Sequence, residues 1–209
     1  MTGLRGKQKT MRRQHILDAT LKLLSKKMFS DISLQDIAAE ADVTVPTIYN
    51  YFGSKSAVIL ELVLSRQEEL SERMGAFITK RSHRDAQRAL TDWVKLVTDG
   101  SFDTLDRDVW RSLYQERVRD DDLGPLFGKL SSFYVDRSVQ FLDTLKQKQL
   151  IHAETDTKAA AKLLDAVCEH YFRLAIFYNA QSRSGHGDEI KAIVKELYRG
   201  LGSSKFLVS

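Results

Sequence analysis

The 209-residue sequence predicts an all-α protein, in which a small N-terminal helix-turn-helix domain precedes a larger helical domain. Apolar residues recur at helical spacing in almost every long segment, whereas the alternation that marks β-strands is absent. The composition is that of a folded chain, since 43% of the residues are hydrophobic and 29% are charged. A chain of this length buries roughly 70% of the surface that its unfolded form exposes, so its core needs neither a disulfide nor a metal.

The net charge of +4 lies entirely in the N-terminal quarter of the chain. Residues 1–60 contain nine Lys or Arg and five Asp or Glu, while the remaining residues contain 23 of each kind. The first 13 residues carry five bases and no acid. A basic segment ahead of a neutral body indicates a head that binds a polyanion, although a solvated basic tail would give the same counts.

Cysteine content and hydropathy indicate the compartment. Cys168 is the only cysteine, which excludes an intramolecular disulfide and suits a reducing cytosol. The basic N-terminal residues are not followed by an apolar segment, and apolar runs such as 174–178 are far shorter than the ~20 residues that span a bilayer. We therefore expect a cytoplasmic protein that neither enters a membrane nor holds a metal or another cofactor.

Three apolar patterns predict the helices of the N-terminal domain. The first helix is one-sided and ends near the lysines at 26–27, which suit a helix C-terminus. The second and third helices are short and are separated only by a tight turn. The apolar positions are Ile16, Leu17, Thr20, Leu21 and Leu24 in the first helix, Leu34, Ile37, Ala38 and Ala41 in the second, and Val45, Ile48 and Phe52 in the third.

Capping residues predict where the two short helices begin. Ser33 precedes the second helix with Asp36 three residues later, which is the spacing of a capping box. Thr44 holds the same position before the third helix, and Pro46 fits its first turn because the N–H that proline lacks would have no partner there. Residues 41–43 join the two helices, with Val43 packed beneath the turn. This pattern is typical of a helix-turn-helix.

The third helix presents an uncharged face of small, polar and aromatic side chains. The outward residues are Pro46, Thr47, Asn50 and Tyr51, with Tyr49 at the boundary. Such a face fits a DNA major groove, because Thr meets base edges, Asn pairs with adenine and Tyr hydroxyls reach phosphates. Lys55 opens the fourth helix, where its ammonium would seat a phosphate. The alternative is a helix pair in an ordinary α-bundle, for which two tyrosines on a solvent face would be unusual.

These residues resemble the DNA-binding domain of the tetracycline-repressor (TetR) family. The resemblance covers about the first 60 residues and rests on 16–24 and 32–55, above all on Thr-Ile-Tyr-Asn-Tyr-Phe-Gly-Ser-Lys at 47–55. It implies base contacts by Gln35, Val45, Pro46, Thr47 and Tyr49, and phosphate contacts by Ser33, Thr44, Asn50, Tyr51 and Lys55.

Two positions depart from the family pattern, which commonly has glycine at both. They are Met28, after the first helix, and Asp42, in the turn. Aspartate tolerates a left-handed backbone. Methionine in that conformation would cost on the order of 1 kcal/mol, unless the first turn is built differently.

Residues 56–209 form the second predicted domain, whereas 1–55 form the helix-turn-helix domain. Helical spacing marks the segments 55–74, 84–99, 105–120, 126–149, 156–181 and 187–201. We expect Gly75, Gly100, the Gly-Pro pair at 124–125 and the stretch 182–187 to separate these helices. No motif here identifies a subfamily, and the resemblance implies a domain for effector binding and dimerisation.

Two late helices predict a homodimer. Segment 156–181 carries two adjacent apolar stripes, so it has a partner besides its own core. One stripe is Leu163, Val167, Tyr171, Leu174 and Tyr178, and the other is Ala160, Leu164, Cys168, Phe172 and Ala175. The resemblance implies a four-helix interface with 187–201, for which the candidates are Leu163, Val167, Leu174, Tyr178, Ile193 and Leu197. The pattern alone leaves open which stripe faces outward, and burial of both stripes is the alternative.

Aromatic residues cluster in the middle helices and suggest an apolar site for an unidentified small-molecule effector. Core packing is the commoner role of such a cluster. Arg117 and Arg137 each lie within a turn of an aromatic residue and would suit an acidic ligand group, the alternative being a surface ion pair. The candidate lining residues are Trp110, Tyr114, Arg117, Phe133, Arg137, Phe141 and Tyr171.

The sequence offers little for catalysis. Cys168, Glu169 and His170 are consecutive on a predicted helix, so their side chains point about 100° apart and cannot act together. A bundle that only binds protein partners would leave the basic head and the capped helices unexplained. We therefore interpret the chain as a non-enzymatic, homodimeric regulator: a repressor that a small apolar or amphipathic ligand releases from a palindromic double-stranded DNA operator. An activator or dual regulator is the alternative.

Overall fold

The computed structural model describes residues 3–80, 83–117, 123–178 and 187–201, and over these ranges the fold is all-α, as predicted. The helices are α1 Gly3–Leu24, α2 Leu34–Glu40, α3 Val45–Phe52, α4 Lys55–Arg66, α5 Glu68–Thr79, α6 Ala86–Thr104, α7 Arg107–Glu116, α8 Leu123–Gln147, α9 Thr157–Phe177 and α10 Gly187–Leu201. A 3₁₀ turn, Phe29–Asp31, lies between α1 and α2. Within the described residues, no helix combines the length and the hydropathy that a bilayer-spanning segment requires.

The chain divides into two compact units. Unit 1 consists of Met1–Gln67 and Leu105–Gly128, and unit 2 consists of Glu68–Thr104 and Lys129–Ser209. This division differs from the predicted boundary after residue 55, because α4 packs on α1 and α3, and α7 packs on the 3₁₀ turn. The predicted boundary after residue 55 separates a DNA-binding part from an effector-binding part, whereas the two units are defined by packing. The predicted boundary therefore stays a prediction.

The core of unit 1 joins α1, α2, α3 and α4. Ile16, Ile37, Ile48 and Leu62 are fully buried, one from each of these helices. The apolar spacing predicted these inward positions, since residues three and four apart share one face of a helix. Val45 and Phe52, also predicted to face inward, are half-buried.

The turns around α2 follow from local backbone preferences. Asp42 has a φ of 47°, so the aspartate takes the left-handed conformation expected of it. Met28 has a φ of −63° and a ψ of 150°, which is ordinary extended backbone. The first turn is therefore built without a left-handed residue at 28, and the cost considered for methionine does not arise. Gly53 ends α3 with a φ of 86°, a conformation that favours glycine.

Several predicted helix boundaries are wrong. Segment 55–74 is two helices, because the chain breaks at Gln67, and the second helix runs through Gly75 to Thr79. Gly100 lies inside α6, where a Cβ atom would collide with the side chain of Leu70. The glycine therefore allows a close approach of α5 to α6 and does not end a helix. The Gly-Pro pair at 124–125 lies in the first turn of α8, which tolerates proline.

In unit 2, α6 packs against α5, α9 and α10. Trp93 of α6 is fully buried and stacks on Phe141 of α8, with ring centroids 4.6 Å apart. Its indole N–H donates to the hydroxyl of Ser138 at 3.1 Å, so the polar atom is satisfied within the core. This arrangement makes α6 the central helix of unit 2.

Candidate nucleic-acid interface

The helix-turn-helix begins with the predicted capping box. The hydroxyl of Ser33 accepts from the backbone N–H of Asp36 at 3.1 Å, and the Asp36 carboxylate accepts from the backbone N–H of Ser33 at 2.8 Å. The same hydroxyl donates to the Asp36 carboxylate. These bonds hold the N-terminus of α2 and occupy the hydroxyl that was predicted to contact a phosphate. Ser33 is exposed, and its phosphate contact stays a prediction.

The N-terminus of α3 is also capped as predicted. Thr44 accepts from the backbone N–H of Thr47 at 3.4 Å, and the two threonine hydroxyls are 2.9 Å apart. Pro46 lies in the first turn of the helix. These contacts fix the start of the helix and the orientation of its first outward side chains.

The outward surface of α3 is accessible. Pro46 and Asn50 are exposed, and Thr47 is half-buried. Tyr49 is 54% exposed, so this ring belongs to the outward face rather than to its boundary. Tyr51, predicted to face outward, is half-buried. Gln35 and Thr44 are exposed and Val45 is half-buried, and the DNA contacts of these residues stay predictions.

Arg13, which the sequence analysis did not identify, joins α1 to the end of α3. It forms a bidentate ion pair with Glu61 of α4 and donates to the carbonyl of Tyr51 at 3.0 Å. Its guanidinium lies 4.7 Å from the ring centroid of Phe52. The hydrogen bonds to Glu61 raise the pKa of Arg13 above its ordinary value. A base and an acid 48 residues apart offer no spacing signal, so only the folded chain reveals the pair.

Lys55 has a structural role in unit 1. Its ammonium donates to the carbonyls of Phe29 at 3.1 Å and Ile32 at 3.0 Å, and it lies 3.9 Å from the centroid of the Phe29 ring. The cation therefore ties the start of α4 to the 3₁₀ turn. Its contact with a phosphate stays a prediction, and its removal would alter the head as well as any DNA contact.

Asp36 predicts an acid-sensitive helix start. The hydrogen bonds from Ser33 and Lys27 lower the pKa of Asp36 from 3.8 to about 2. A carboxyl group with a lowered pKa stabilises the fold fully above its unfolded pKa, and this stabilisation is lost as the pH falls toward the folded value. We expect Asp36→Asn to lower the melting temperature at pH 7. Between about pH 4 and pH 2 the melting temperature of the variant should fall less than that of the wild type, because the variant lacks the carboxylate that is protonated in this range.

Thermal unfolding followed by circular dichroism over this pH range measures the effect. Asp18→Asn, on the surface of α1, is the control for loss of one negative charge. If the melting temperature of Asp36→Asn fell at low pH as much as that of the wild type, this result would contradict the role of the capping box.

The predicted effector residues are divided between the two units. Trp110, Tyr114 and Arg117 lie in unit 1, whereas Phe133, Arg137, Phe141 and Tyr171 lie in unit 2. Tyr114 meets Phe127 edge-on at 4.8 Å, and the Arg117 guanidinium lies 4.7 Å from the same ring. Arg137 donates to the hydroxyl of Ser71 at 2.6 Å and to Gln140 at 3.2 Å. Their role toward a ligand stays a prediction.

Unit 2 also contains polar pairs that the sequence analysis missed. The hydroxyls of Ser101 and Tyr134 are 3.1 Å apart, and Ser131 donates to Asp165 at 2.7 Å. Desolvation raises the pKa of Asp165. These residues join α6 to α8 and α8 to α9. Isolated polar residues in amphipathic helices are not recognisable as pairs until the helices pack.

The two stripes of α9 have different environments. The stripe with Ala160, Leu164, Cys168 and Phe172 is buried. In the other stripe Leu163 is 54% exposed and Tyr178 is 76% exposed, while Val167 and Leu174 are half-buried and Tyr171 is buried. On α10, Ile193 is 37% exposed and Leu197 is half-buried. The stripe that contains Leu163 therefore faces outward, although its Tyr171 is buried.

The cysteine and the acidic residues of the chain show no reactive cluster in the part that the structure describes. Cys168 is buried, and desolvation raises the pKa of its thiol, which disfavours the nucleophilic thiolate. His170, two residues later, is exposed on another side of α9. Among the described residues, no three His, Cys, Asp or Glu side chains are grouped to hold a metal ion.

Comparison with known proteins agrees with this geometry. Residues 16–62 match the family described as "Bacterial regulatory proteins, tetR family". The HTH-type transcriptional repressor KstR of Rhodococcus jostii is 39% identical over 62 residues, which are 30% of this chain and 29% of that protein. The HTH-type transcriptional regulator EthR of Mycolicibacterium smegmatis is 46% identical over 48 residues, which are 23% of this chain and 22% of that protein. Both matches thus span less than a third of the relative's length.

A solved structure resembles nearly the whole chain. The TetR-family transcriptional regulator from Syntrophomonas wolfei superimposes with a TM-score of 0.74 at 16% identity, covering 96% of this chain and 99% of that one. At this identity the likeness establishes the fold alone. The match to the family model is confined to residues 16–62, while the similarity in fold covers 96% of the chain.

Proposed function

Because residues 16–62 match the tetR family of bacterial regulatory proteins, we propose that this chain is a member of that family and a homodimeric, one-component transcriptional regulator of the cytoplasm. In this proposal residues 1–55 read a palindromic operator, and residues 56–209 bind an effector and form the dimer. A repressor released by a small apolar or amphipathic ligand is the form that we favour. The observation that carries the proposal is the capped α2–α3 pair with its accessible, uncharged outward face.

The proposal assigns two kinds of DNA contact. Gln35, Thr47 and Tyr49 would meet base edges, since their side chains lie on the accessible face of α2 and α3. Asn50 and Tyr51 would hold phosphates, which fix register without carrying sequence information. Two heads related by a two-fold axis would enter successive major grooves about 34 Å apart.

Selection of bound sites from random double-stranded DNA tests the proposal. A DNA reader yields a palindromic motif, and its affinity falls steeply with salt because bound phosphates release counterions. A helical protein that binds only protein partners gives neither result. Recovery of no motif, or affinity that does not depend on salt, would refute the proposed function.

Thr47→Ala tests the orientation of the recognition surface. We expect the variant to lose preference at one base pair in each half-site, for roughly 1 to 3 kcal/mol, because it removes a contact to a base edge. Repeated site selection and competition with single-base variants of the operator measure the loss. Thr47→Ser, which keeps the hydroxyl, separates hydrogen bonding from methyl contact. A motif that is unchanged in Thr47→Ala would show that α3 lies differently in the groove.

An effector has a short route to the helix-turn-helix within unit 1. In the sequence of α7, Ser112 comes between Trp110 and Tyr114, which are two of the proposed effector residues. Its hydroxyl accepts from the backbone N–H of Phe29, 2.6 Å away in the 3₁₀ turn that precedes α2. A ligand that shifts α7 would therefore act on the element that positions α2. A coupling free energy of roughly 1 to 3 kcal/mol would lower operator affinity 5- to 150-fold, and the operator would weaken the ligand equally.

Unit 2 is a second candidate location for an amphipathic ligand, separate from the α7 route in unit 1. The Ser101–Tyr134 and Ser131–Asp165 pairs lie among apolar helices, and few polar groups in apolar surroundings are typical of ligand sites. Thermal-shift screening followed by titration of the operator complex identifies such a ligand. A compound that stabilises the protein but leaves operator affinity unchanged is not the effector.

A further inference from the structure

Helix α1 extends well beyond the helix-turn-helix that it precedes. It begins at Gly3, whereas the match to the family begins at residue 16. From residue 6 onward, Ile16 is the first fully buried residue of the helix. Every residue from 6 to 12, here called the basic arm, is exposed. These two turns of helix thus contribute nothing to the core of unit 1.

The basic arm carries cations without acidic partners. Lys7, Lys9 and Arg12 form no ion pair with any carboxylate in the part of the chain that the structure describes. The sequence contains no acid before Asp18. Further along the head, Lys22 pairs with Glu40 and Lys27 pairs with Asp36. The three cations of the basic arm differ from these bases because no carboxylate of the described residues offsets them.

The position of Arg13 relates the arm to the recognition helix. Arg13 donates to the carbonyl of Tyr51 and lies against the ring of Phe52, both in the last turn of α3. Lys9 lies one helical turn before Arg13, about 6 Å along the axis and on nearly the same face of α1. The basic arm therefore continues from the C-terminal end of α3, where Asn50 and Tyr51 are assigned to phosphates.

We propose that the basic arm binds backbone phosphates of the DNA that flanks the sequence read by α3. This inference rests on the proposed function, because it adds contacts to the same complex. Three uncompensated cations on an exposed helix suit a polyanion, and their binding to DNA is driven by counterion release. A membrane surface fits less well, because an interfacial helix needs a broad apolar face and Met11 is the only large apolar side chain from 6 to 12.

The test compares the full-length protein with the triple variant Lys7→Gln, Lys9→Gln, Arg12→Gln. Glutamine removes the charge and retains high helix propensity. The matched control, Arg84→Gln, Arg88→Gln, Lys158→Gln, removes three exposed bases from unit 2. Each protein is titrated against a site selected by the wild type, over a series of salt concentrations, and its complex is mapped by hydroxyl-radical footprinting.

We expect the triple variant to select the same motif but to show a shallower salt dependence and a shorter footprint. Each lost phosphate contact lowers the slope of log K against log salt by about 0.9, so three cations in each of two protomers lower it by up to about five. The control is expected to keep the wild-type slope. Circular dichroism checks that the triple variant remains folded.

Several results would overturn this inference while leaving the proposed function intact. The first is a triple variant that keeps the wild-type salt slope and footprint. The second is a triple variant that selects a different sequence motif. The third is a control variant whose salt slope falls as much as that of the triple variant. Cosedimentation with anionic phosphatidylserine vesicles, lost in the triple variant while its DNA slope is unchanged, would also overturn it and assign the arm to membranes. A wild type that selects no site would instead refute the proposed function.

Discussion

Leu163→Glu is expected to convert the protein from a dimer to a monomer and to lower operator affinity at least hundredfold. Leu163 is 54% exposed on the outward stripe of α9, so a glutamate there meets solvent in the monomer but would be buried in the proposed interface. Burial of an unpaired carboxylate costs several kcal/mol. Loss of the second head removes the gain from bivalent binding, which is of the order of 10² to 10⁴.

Sedimentation at micromolar concentration and operator titration measure the two effects, and circular dichroism verifies the helical content. Lys158→Glu, an exposed position on the opposite side of α9, is the matched control and is expected to remain dimeric. Leu164→Glu would be uninformative, because Leu164 is fully buried in the core of unit 2. A stable wild-type monomer, or a dimeric Leu163→Glu with full affinity, would refute the proposed interface.

Ser112→Ala is expected to destabilise the protein by about 1 to 3 kcal/mol. The Ser112 hydroxyl is the acceptor for the backbone N–H of Phe29, and both residues are buried. Alanine would leave that N–H without its partner and away from water, which carries the desolvation cost of an unpaired donor. For a protein of this size the melting temperature falls by roughly 2 to 4 °C per kcal/mol.

Chemical denaturation measures the loss, and hydrogen exchange at the Phe29 amide reports whether the effect arises at this bond. Thr20→Val is the matched control. The buried Thr20 hydroxyl donates only to the carbonyl of Ile16 in its own helix, a carbonyl that the helix already satisfies. The control is expected to change stability by less than about 1 kcal/mol. Equal losses in both variants would show that the bond between α7 and the 3₁₀ turn has no special role.

The sequence determined those features that short-range interactions control. Ser33 and Thr44 precede α2 and α3 as caps, because a side-chain oxygen reaches an N–H group only two or three residues away. Helical spacing identified Ile16, Ile37 and Ile48 as buried, since the period of the helix is a local property. The same spacing predicted that Pro46, Thr47 and Asn50 of α3 face outward, whereas Gln35 of α2 was a candidate only through the family resemblance.

The tertiary structure alone decided which predicted interruptions were real and which surfaces face outward. Gly100 reads as a helix end in the sequence, yet it lies inside α6 because Leu70 packs against it. Both stripes of α9 are apolar, and only packing against α6 shows that the Leu163 stripe is outward. The Arg13–Glu61 pair and the Ser112–Phe29 bond join residues 48 and 83 positions apart. Contacts at such separation depend on how whole helices pack, and a single sequence carries no local signal of that packing.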